Sequence, residues 1–106
     1  MARNRRQQQL VSAFVYARNG RLLSTGQNSY VKTHTVQARA ASKVGRPSCI
    51  YLHAEIAALV KIKDWSEAYK LVVMRYLKDG TPANAAPCSI CCEVIRQTGI
   101  KVIEHT

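Results

Sequence analysis

The chain is short and strongly basic: it has 106 residues, 47% of them hydrophobic, and 16 Lys and Arg against 6 Asp and Glu give a formal net charge of +10. This length predicts one small domain, and the hydrophobic content excludes a disordered chain. A positive surface favours phosphate-bearing partners such as nucleotides or nucleic acid, although charge spread along a chain is also typical of a solvated surface.

The sequence predicts neither a targeting segment nor a membrane segment. No apolar run approaches the ~18–20 residues that a membrane span needs. The basic N-terminus runs into Gln7-Gln8-Gln9 instead of an apolar signal segment. We therefore expect a cytoplasmic protein that does not act at membranes. In that compartment the 4 cysteines indicate metal binding or catalysis before disulfides.

The first half of the chain predicts a β-hairpin followed by a long connection. Leu10–Arg18 is rich in β-branched and aromatic residues with apolar side chains on both faces, which predicts a strand covered on both sides. Asn19-Gly20, both tolerant of positive φ, predicts the turn, and Arg21–Gly26 the partner strand. Residues 27–48 are irregular, with a short helix over Val36–Lys43. So long a connection in a small domain is a natural wall for an active site.

The second half predicts alternating helices and strands. Tyr51–Lys63 is almost entirely apolar and predicts a helix buried against the sheet, broken at Asp64–Ser66. The remaining elements are a strand over Lys70–Leu77, a turn at Asp79-Gly80, a loop over Thr81–Pro87, a helix over Cys88–Gln97 capped by Gly99, and a strand over Ile100–Ile103. This order predicts an α/β fold with a mixed four-stranded sheet flanked by helices, parallel across each helical crossover.

Two stretches carry the candidate chemistry, Leu52-His53-Ala54-Glu55 and Pro87-Cys88-Ser89-Ile90-Cys91-Cys92. Cys88 and Cys91 would present their sulfurs on one side of a first helical turn. Together with His53 they suit a tetrahedral Zn²⁺ whose fourth position is open to water. Glu55 is not a ligand in this arrangement and would handle the protons of that water.

Two further cysteines are not expected to bind the metal. Cys92 points ~100° away from Cys91 on a helix, which predicts a buried apolar role. Cys49 precedes the predicted site.

The H-x-E…P-C-x-x-C combination is a signature of zinc-dependent base deaminases. From Leu10 to Ile103 the chain resembles the cytidine/deoxycytidylate deaminase superfamily and, more loosely, its small phage-encoded members. The resemblance implies a three-layer α/β fold and a proton shuttle at Glu55 while water attacks C4 of cytosine or C6 of adenine. It also implies that the zinc ligands are His53, Cys88 and Cys91. The substrate contacts that it implies are Asn28 and the backbone of Ala54.

The chain departs from the family after the fourth predicted strand, where family members continue into another helix and a fifth strand. We therefore expect a fold truncated at its C-terminus and a homo-oligomer in which a neighbouring subunit supplies pocket walls. If the protein is encoded by a phage, it acts in the host cytoplasm.

The leading hypothesis is deamination of a free cytosine nucleotide or nucleoside, dCMP or deoxycytidine, to the uracil product and ammonia. The candidate phosphate contacts are Lys32, Arg39, Lys43 and Arg46. One alternative is a deaminase of cytosine or adenine in single-stranded DNA or RNA, with base stacking on exposed aromatics from the set Tyr30, Tyr51 and Trp65. Another is an inactive deaminase fold that binds nucleic acid or protein; the intact Glu55 argues against it, because a binding module has no use for a proton shuttle.

Overall fold

A β-hairpin begins the part of the chain that the structure describes. The computed structural model covers residues 10–29, 32–46, 52–77 and 79–106. Strand β1 (Leu10–Tyr16) pairs antiparallel with β2 (Leu22–Gln27), which confirms the predicted hairpin.

The hairpin turn is one residue longer than a two-residue Asn-Gly turn. The N–H of Ala17 donates to the carbonyl of Arg21 at 2.8 Å, and the N–H of Gly20 donates to the carbonyl of Ala17 at 2.9 Å. Gly20 has φ 90°, whereas no described residue other than glycine has positive φ. The loop is therefore a type I turn followed by a left-handed glycine, a geometry that also suits the right-handed twist of the strands.

Within the described residues, strand β3 (Lys70–Tyr76) is the centre of a mixed sheet of five strands. One side of β3 pairs antiparallel with β1. The other side pairs parallel with β5 (Val102–His105) and antiparallel with a two-residue strand, β4 (Pro82–Ala83), that lies within the predicted loop. The predicted α/β class and mixed sheet are confirmed. The parallel pairing holds for β3 and β5, whereas β2 and β3 run in the same direction with β1 between them.

Two of the three helices in the described residues match their predicted positions closely. Helix α1 (Thr35–Lys43) lies in the long connection, and helix α3 (Ser89–Thr98) ends at Gly99, whose φ of 79° makes it the predicted C-cap. Helix α2 (Ala54–Leu59) is a correction, because the prediction extended it over Tyr51–Lys63.

Backbone partners outside the helix explain why α2 is short. The N–H of Leu52 donates to the carbonyl of Lys32 and its carbonyl accepts the N–H of Ser29, both at 2.9 Å, so the chain before α2 is extended and paired with the connection. At the other end, the indole N–H of Trp65 donates to the carbonyl of Leu59 at 2.8 Å. The apolar run thus overstates the helix, because burial alone does not distinguish a helix from the paired segment before it.

A 3-10 turn, Trp65–Glu67, follows α2 at the predicted break. Asp64 is its N-cap, and the Asp64 carboxylate accepts the Ser66 N–H at 3.0 Å. This cap reverses the chain toward β3.

The core of the described part of the chain lies between one face of the sheet and helices α1, α2 and α3. Ala13, Val15, Leu71 and Val73 alternate along β1 and β3 and are fully buried. Phe14, on the other face of β1, is half-buried. The helices contribute buried side chains to the same cluster, among them Ala40, Ala41, Ile56, Leu59, Ile90, Val94 and Ile95.

Gly26 allows α2 to pack directly on β2. A Cβ at this position would lie 2.6 Å from the carbonyl oxygen of Ala54, and closer still to the backbone nitrogen of Ala58. No larger residue fits there unless the helix moves. The Ser24 hydroxyl also donates to the carbonyl of Ala58 at 2.8 Å, so β2 fixes the position of α2.

None of the described helices is both long and apolar enough to cross a membrane.

Candidate metal centre

The two motifs meet where α2 and α3 begin. His53 is the N-cap of α2 and Cys88 is the N-cap of α3, both in extended conformation, and Cys91 lies in the first turn of α3. The Nδ1 atom of His53 is 3.3 Å from the Cys91 Sγ and 3.5 Å from the Cys88 Sγ. The three candidate ligand atoms all lie within 4.8 Å of one another. The structure thus brings together the three residues singled out from the sequence.

The spacing of these donors fits a zinc ion. Tetrahedral Zn²⁺ with Zn–S bonds of about 2.3 Å and a Zn–N bond of about 2.0–2.1 Å requires about 3.6 Å between nitrogen and sulfur. The observed separations of 3.3 Å and 3.5 Å are close to this value. A set of one imidazole and two thiolates is also soft enough for zinc and leaves one of four positions open. His53, Cys88 and Cys91 would hold the ion.

The pKa values of the Cys88 and Cys91 thiols shift in opposite directions, because the two thiols share a hydrogen bond. The hydrogen bond with Cys91, supported by one with His53, lowers the pKa of Cys88 to about 3. The hydrogen bond with Cys88, together with burial, raises the pKa of Cys91. The hydrogen bond with Cys88 also raises the pKa of His53. Cys88 therefore loses its proton more readily than Cys91, and both sulfurs bind a metal as thiolates.

Glu55 places a buried carboxyl group beside the cluster. It lies in the first turn of α2 and only 6% of it is exposed. Burial raises the pKa of Glu55, and its carboxyl interacts with the Cys91 thiol. A carboxyl with a raised pKa next to a metal site can both accept and return protons near neutral pH.

Asn28, the predicted substrate contact at the end of β2, lies in the wall of a cavity of about 620 Å³. Its side-chain oxygen accepts the Val11 N–H at 2.9 Å, and its own N–H donates to the Val11 carbonyl at 3.2 Å. The cavity wall also includes Lys32 and Leu52, and Leu52 directly precedes His53. Ala54 is 1% exposed at the start of α2. His53, Ala54, Glu55, Cys88 and Cys91 are not among the described residues that line this cavity.

The four candidate phosphate contacts lie in different surroundings. Lys32 lines the cavity, and Arg46 lies close enough to His53 to oppose the rise of its pKa. Lys43 instead forms an ion pair with Glu93 of α3 at 2.9 Å. Arg39 is exposed on α1.

Other sequence predictions need correction or lie outside the described residues. Cys92 is exposed rather than buried, because the rotation that turns it away from Cys91 also turns it away from the core. Trp65 packs against the core and bonds to Leu59, which leaves it poorly suited to stack on a base. Three of the residues named in the sequence analysis, Tyr30, Cys49 and Tyr51, lie outside the described residues.

One residue in contact with the cluster was not predicted. The side-chain oxygen of Gln37 accepts the backbone N–H of His53 at 3.2 Å, and Gln37 has no solvent exposure. No motif spacing links the two positions. The available signal was its place on α1, three and four residues before the buried Ala40 and Ala41, where a polar residue on a core face needs a partner.

A mixed sheet that carries a histidine and two cysteines at the starts of two helices, with a buried glutamate beside them, defines a zinc-binding α/β protein. The family described as the cytidine and deoxycytidylate deaminase zinc-binding region matches residues 1–105, and the chain belongs to this family. Comparisons with curated proteins and with solved structures returned no match.

Proposed function

We propose that the protein catalyses the hydrolytic deamination of a cytosine nucleotide or nucleoside, such as dCMP or deoxycytidine, to the uracil product and ammonia. The observation that carries this proposal is the buried Glu55 beside the cluster of His53, Cys88 and Cys91. The family supports the reaction class. The choice of a free nucleotide is ours.

In the proposed mechanism Glu55 moves the protons. Zinc, when bound, supplies the Lewis acidity that makes a water molecule nucleophilic at neutral pH. The Glu55 carboxylate takes the proton of the attacking water and gives it to the ring nitrogen N3 of cytosine. Glu55 then helps to protonate the amino group that leaves C4 as ammonia. Burial of Glu55 favours this cycle, because it holds the pKa of the carboxyl above its usual range.

The assignment of the substrate contacts follows the pattern of the family to which the chain belongs. We assign the sugar or base to Asn28, the base to the backbone of Ala54, and the phosphate to Lys32 and Arg46. Asn28 and Lys32 line the same cavity, and Arg46 lies close enough to His53 to oppose the rise of its pKa. The net charge of +10 favours an anionic substrate over an uncharged nucleoside.

A base in single-stranded DNA or RNA is the second candidate substrate. The cavity wall includes Phe14, and it continues to Lys61 at the far end of α2. A wall that includes an aromatic side chain and two lysines has the composition of a groove that holds a single strand.

A homo-oligomer remains our expectation. It is supported by the apolar side chain of Ile103, which is 43% exposed on β5. Light scattering of the purified protein tests this expectation.

The experiment compares ammonia release from dCMP, deoxycytidine, AMP and a cytosine-containing single-stranded oligonucleotide under identical conditions. We expect the fastest turnover with dCMP. Turnover of the oligonucleotide alone, falling steeply with added salt, would replace the first candidate by the second. If protein that contains zinc turned over none of these substrates, the result would instead favour an inactive deaminase fold that binds nucleic acid or protein.

A further inference from the structure

Gln37 is a fully buried polar residue that contacts the metal centre from a different helix. It lies on α1 with 0% exposure, and its side-chain oxygen accepts the backbone N–H of His53 at 3.2 Å. The proposed mechanism does not use Gln37: in that mechanism Gln37 neither binds the metal nor contacts the substrate.

This hydrogen bond occurs where a helix needs one. The first backbone N–H groups of a helix have no partner within it, and a capping box satisfies the N-cap N–H with a Glu or Gln at the third helical position. In α2 that position is Ile56, which cannot accept a hydrogen bond. The His53 side chain makes no capping bond either, since its Nδ1 faces the two sulfurs. Gln37 therefore performs from α1 the task that a residue of α2 normally performs.

We propose that Gln37 is a positioning residue for the zinc centre: by accepting the His53 N–H it fixes the backbone from which the imidazole reaches toward Cys88 and Cys91. The side chain of His53 has few rotatable bonds, so a backbone rotation at the N-cap moves the Nδ1 atom away from the sulfurs. Groups that orient metal ligands in this way strengthen metal binding without touching the ion.

Helix α1 is suited to hold Gln37 in place. Its Ala40 and Ala41 are buried at 3% and 0% exposure, and the Val36 N–H donates to the His34 Nδ1 atom at 3.1 Å as an N-terminal cap. The other end of α1 is joined to α3 through the Lys43–Glu93 ion pair at 2.9 Å. The helix thus contacts both elements that carry the candidate ligands. A neutral carboxamide also adds no negative charge next to the thiolates.

The test compares Gln37→Met, which keeps the size but removes the acceptor, with Gln37→Glu, which keeps an acceptor oxygen. Zinc affinity is measured by competition with a chromophoric chelator, and the ligand geometry by the visible absorption of the Co²⁺-substituted protein. We expect Gln37→Met to weaken zinc binding by about 10- to 100-fold and to alter the Co²⁺ spectrum. We expect Gln37→Glu to retain a wild-type spectrum, even though its buried carboxyl group lowers the thermal stability at least as much.

Ala41→Gly is the matched control, because it weakens the same helix at a buried position without touching His53. If zinc affinity in the three variants follows their thermal stability, Gln37 is only a packing residue and the inference is wrong. A Co²⁺ spectrum of Gln37→Met identical to wild type would overturn it as well. These readouts do not depend on turnover, so a wild-type protein that binds zinc but deaminates nothing would contradict the proposed function and leave this inference standing.

Discussion

The two helices that present the metal-binding residues begin in the same way but are stabilised differently. Each starts at a residue whose side chain faces the cluster, so neither has a side-chain N-cap. Helix α3 has ten residues and a left-handed glycine as its C-cap, and its Thr98 hydroxyl bonds to the carbonyl of Ile95 at 2.6 Å. Helix α2 has only six residues and depends on other elements. The residues of these other elements that contact α2 or its N-cap are Ser24, Gly26, Gln37 and Trp65.

The cysteine side of the centre is therefore built mainly from local sequence, and the histidine side from tertiary contacts. Short helices are marginal on their own, so α2 derives its stability from the elements around it. We infer that changes at a distance from the cluster disturb His53 and Glu55 more readily than Cys88 and Cys91. The predictions below test this difference.

The largest expected effect comes from exchanging the acid on each helix for its amide. Glu55→Gln on α2 should lower the turnover number by about 10²- to 10⁴-fold, because it removes the group that transfers protons. The zinc content of this variant should stay at the wild-type level, since Glu55 is not a ligand in the proposed centre. Ammonia release and metal analysis measure the two quantities.

Glu93→Gln on α3 is the matched control for this prediction. The Glu93 carboxylate accepts hydrogen bonds from Lys43, Arg96 and Gln97 at 2.8–3.0 Å, and the substitution should leave turnover unchanged. If Glu55→Gln retained full turnover, the assignment of the proton shuttle would be wrong.

An intermediate effect on stability and zinc affinity is expected from replacing one glycine beside each helix by alanine. Gly26→Ala forces a Cβ against the backbone of α2, which should cost about 1–3 kcal/mol of stability and weaken zinc binding through the displaced His53. Gly99→Ala strains the C-cap of α3, where φ is 79°, and should cost about 1 kcal/mol without changing zinc affinity. Thermal unfolding and chelator competition give the two values for each variant. Equal loss of zinc affinity in both variants would remove the distinction between the two helices.

The same distinction explains what the sequence could predict. Cys88 and Cys91 lie in one helical turn, and Glu55 follows His53 by two residues, so these spacings carry the chemistry without knowledge of the fold. The contact between Gln37 and His53 arises only when α1 packs beside α2, and no spacing rule announces it.

Errors in the predicted elements have a related cause. The length of α2 was overestimated because Leu52 is as apolar as a helical residue, yet its backbone pairs with Ser29 and Lys32. The exposure of Cys92 was misjudged because the hydrophobic character of a thiol does not state which side of α3 faces the core. Periodicity predicted the longer elements and their order, whereas tertiary pairing decided where they end and formed the two-residue strand β4 within the predicted loop.

The smallest effect is expected from the ion pair that joins α1 to α3. Lys43→Met removes the bond to Glu93, but the Lys43 side chain is 60% exposed and Glu93 retains Arg96 at 2.8 Å. Exposed ion pairs contribute little and are screened by salt, so the melting temperature should fall by no more than a few degrees, and by less in concentrated salt. Zinc affinity should not change.

Lys63→Met is the control, since Lys63 is exposed and forms no ion pair among the described residues. A loss of zinc affinity in Lys43→Met as large as in Gly26→Ala would show that the cysteine side also depends on tertiary contacts, because the only bond removed lies on the surface between α1 and α3.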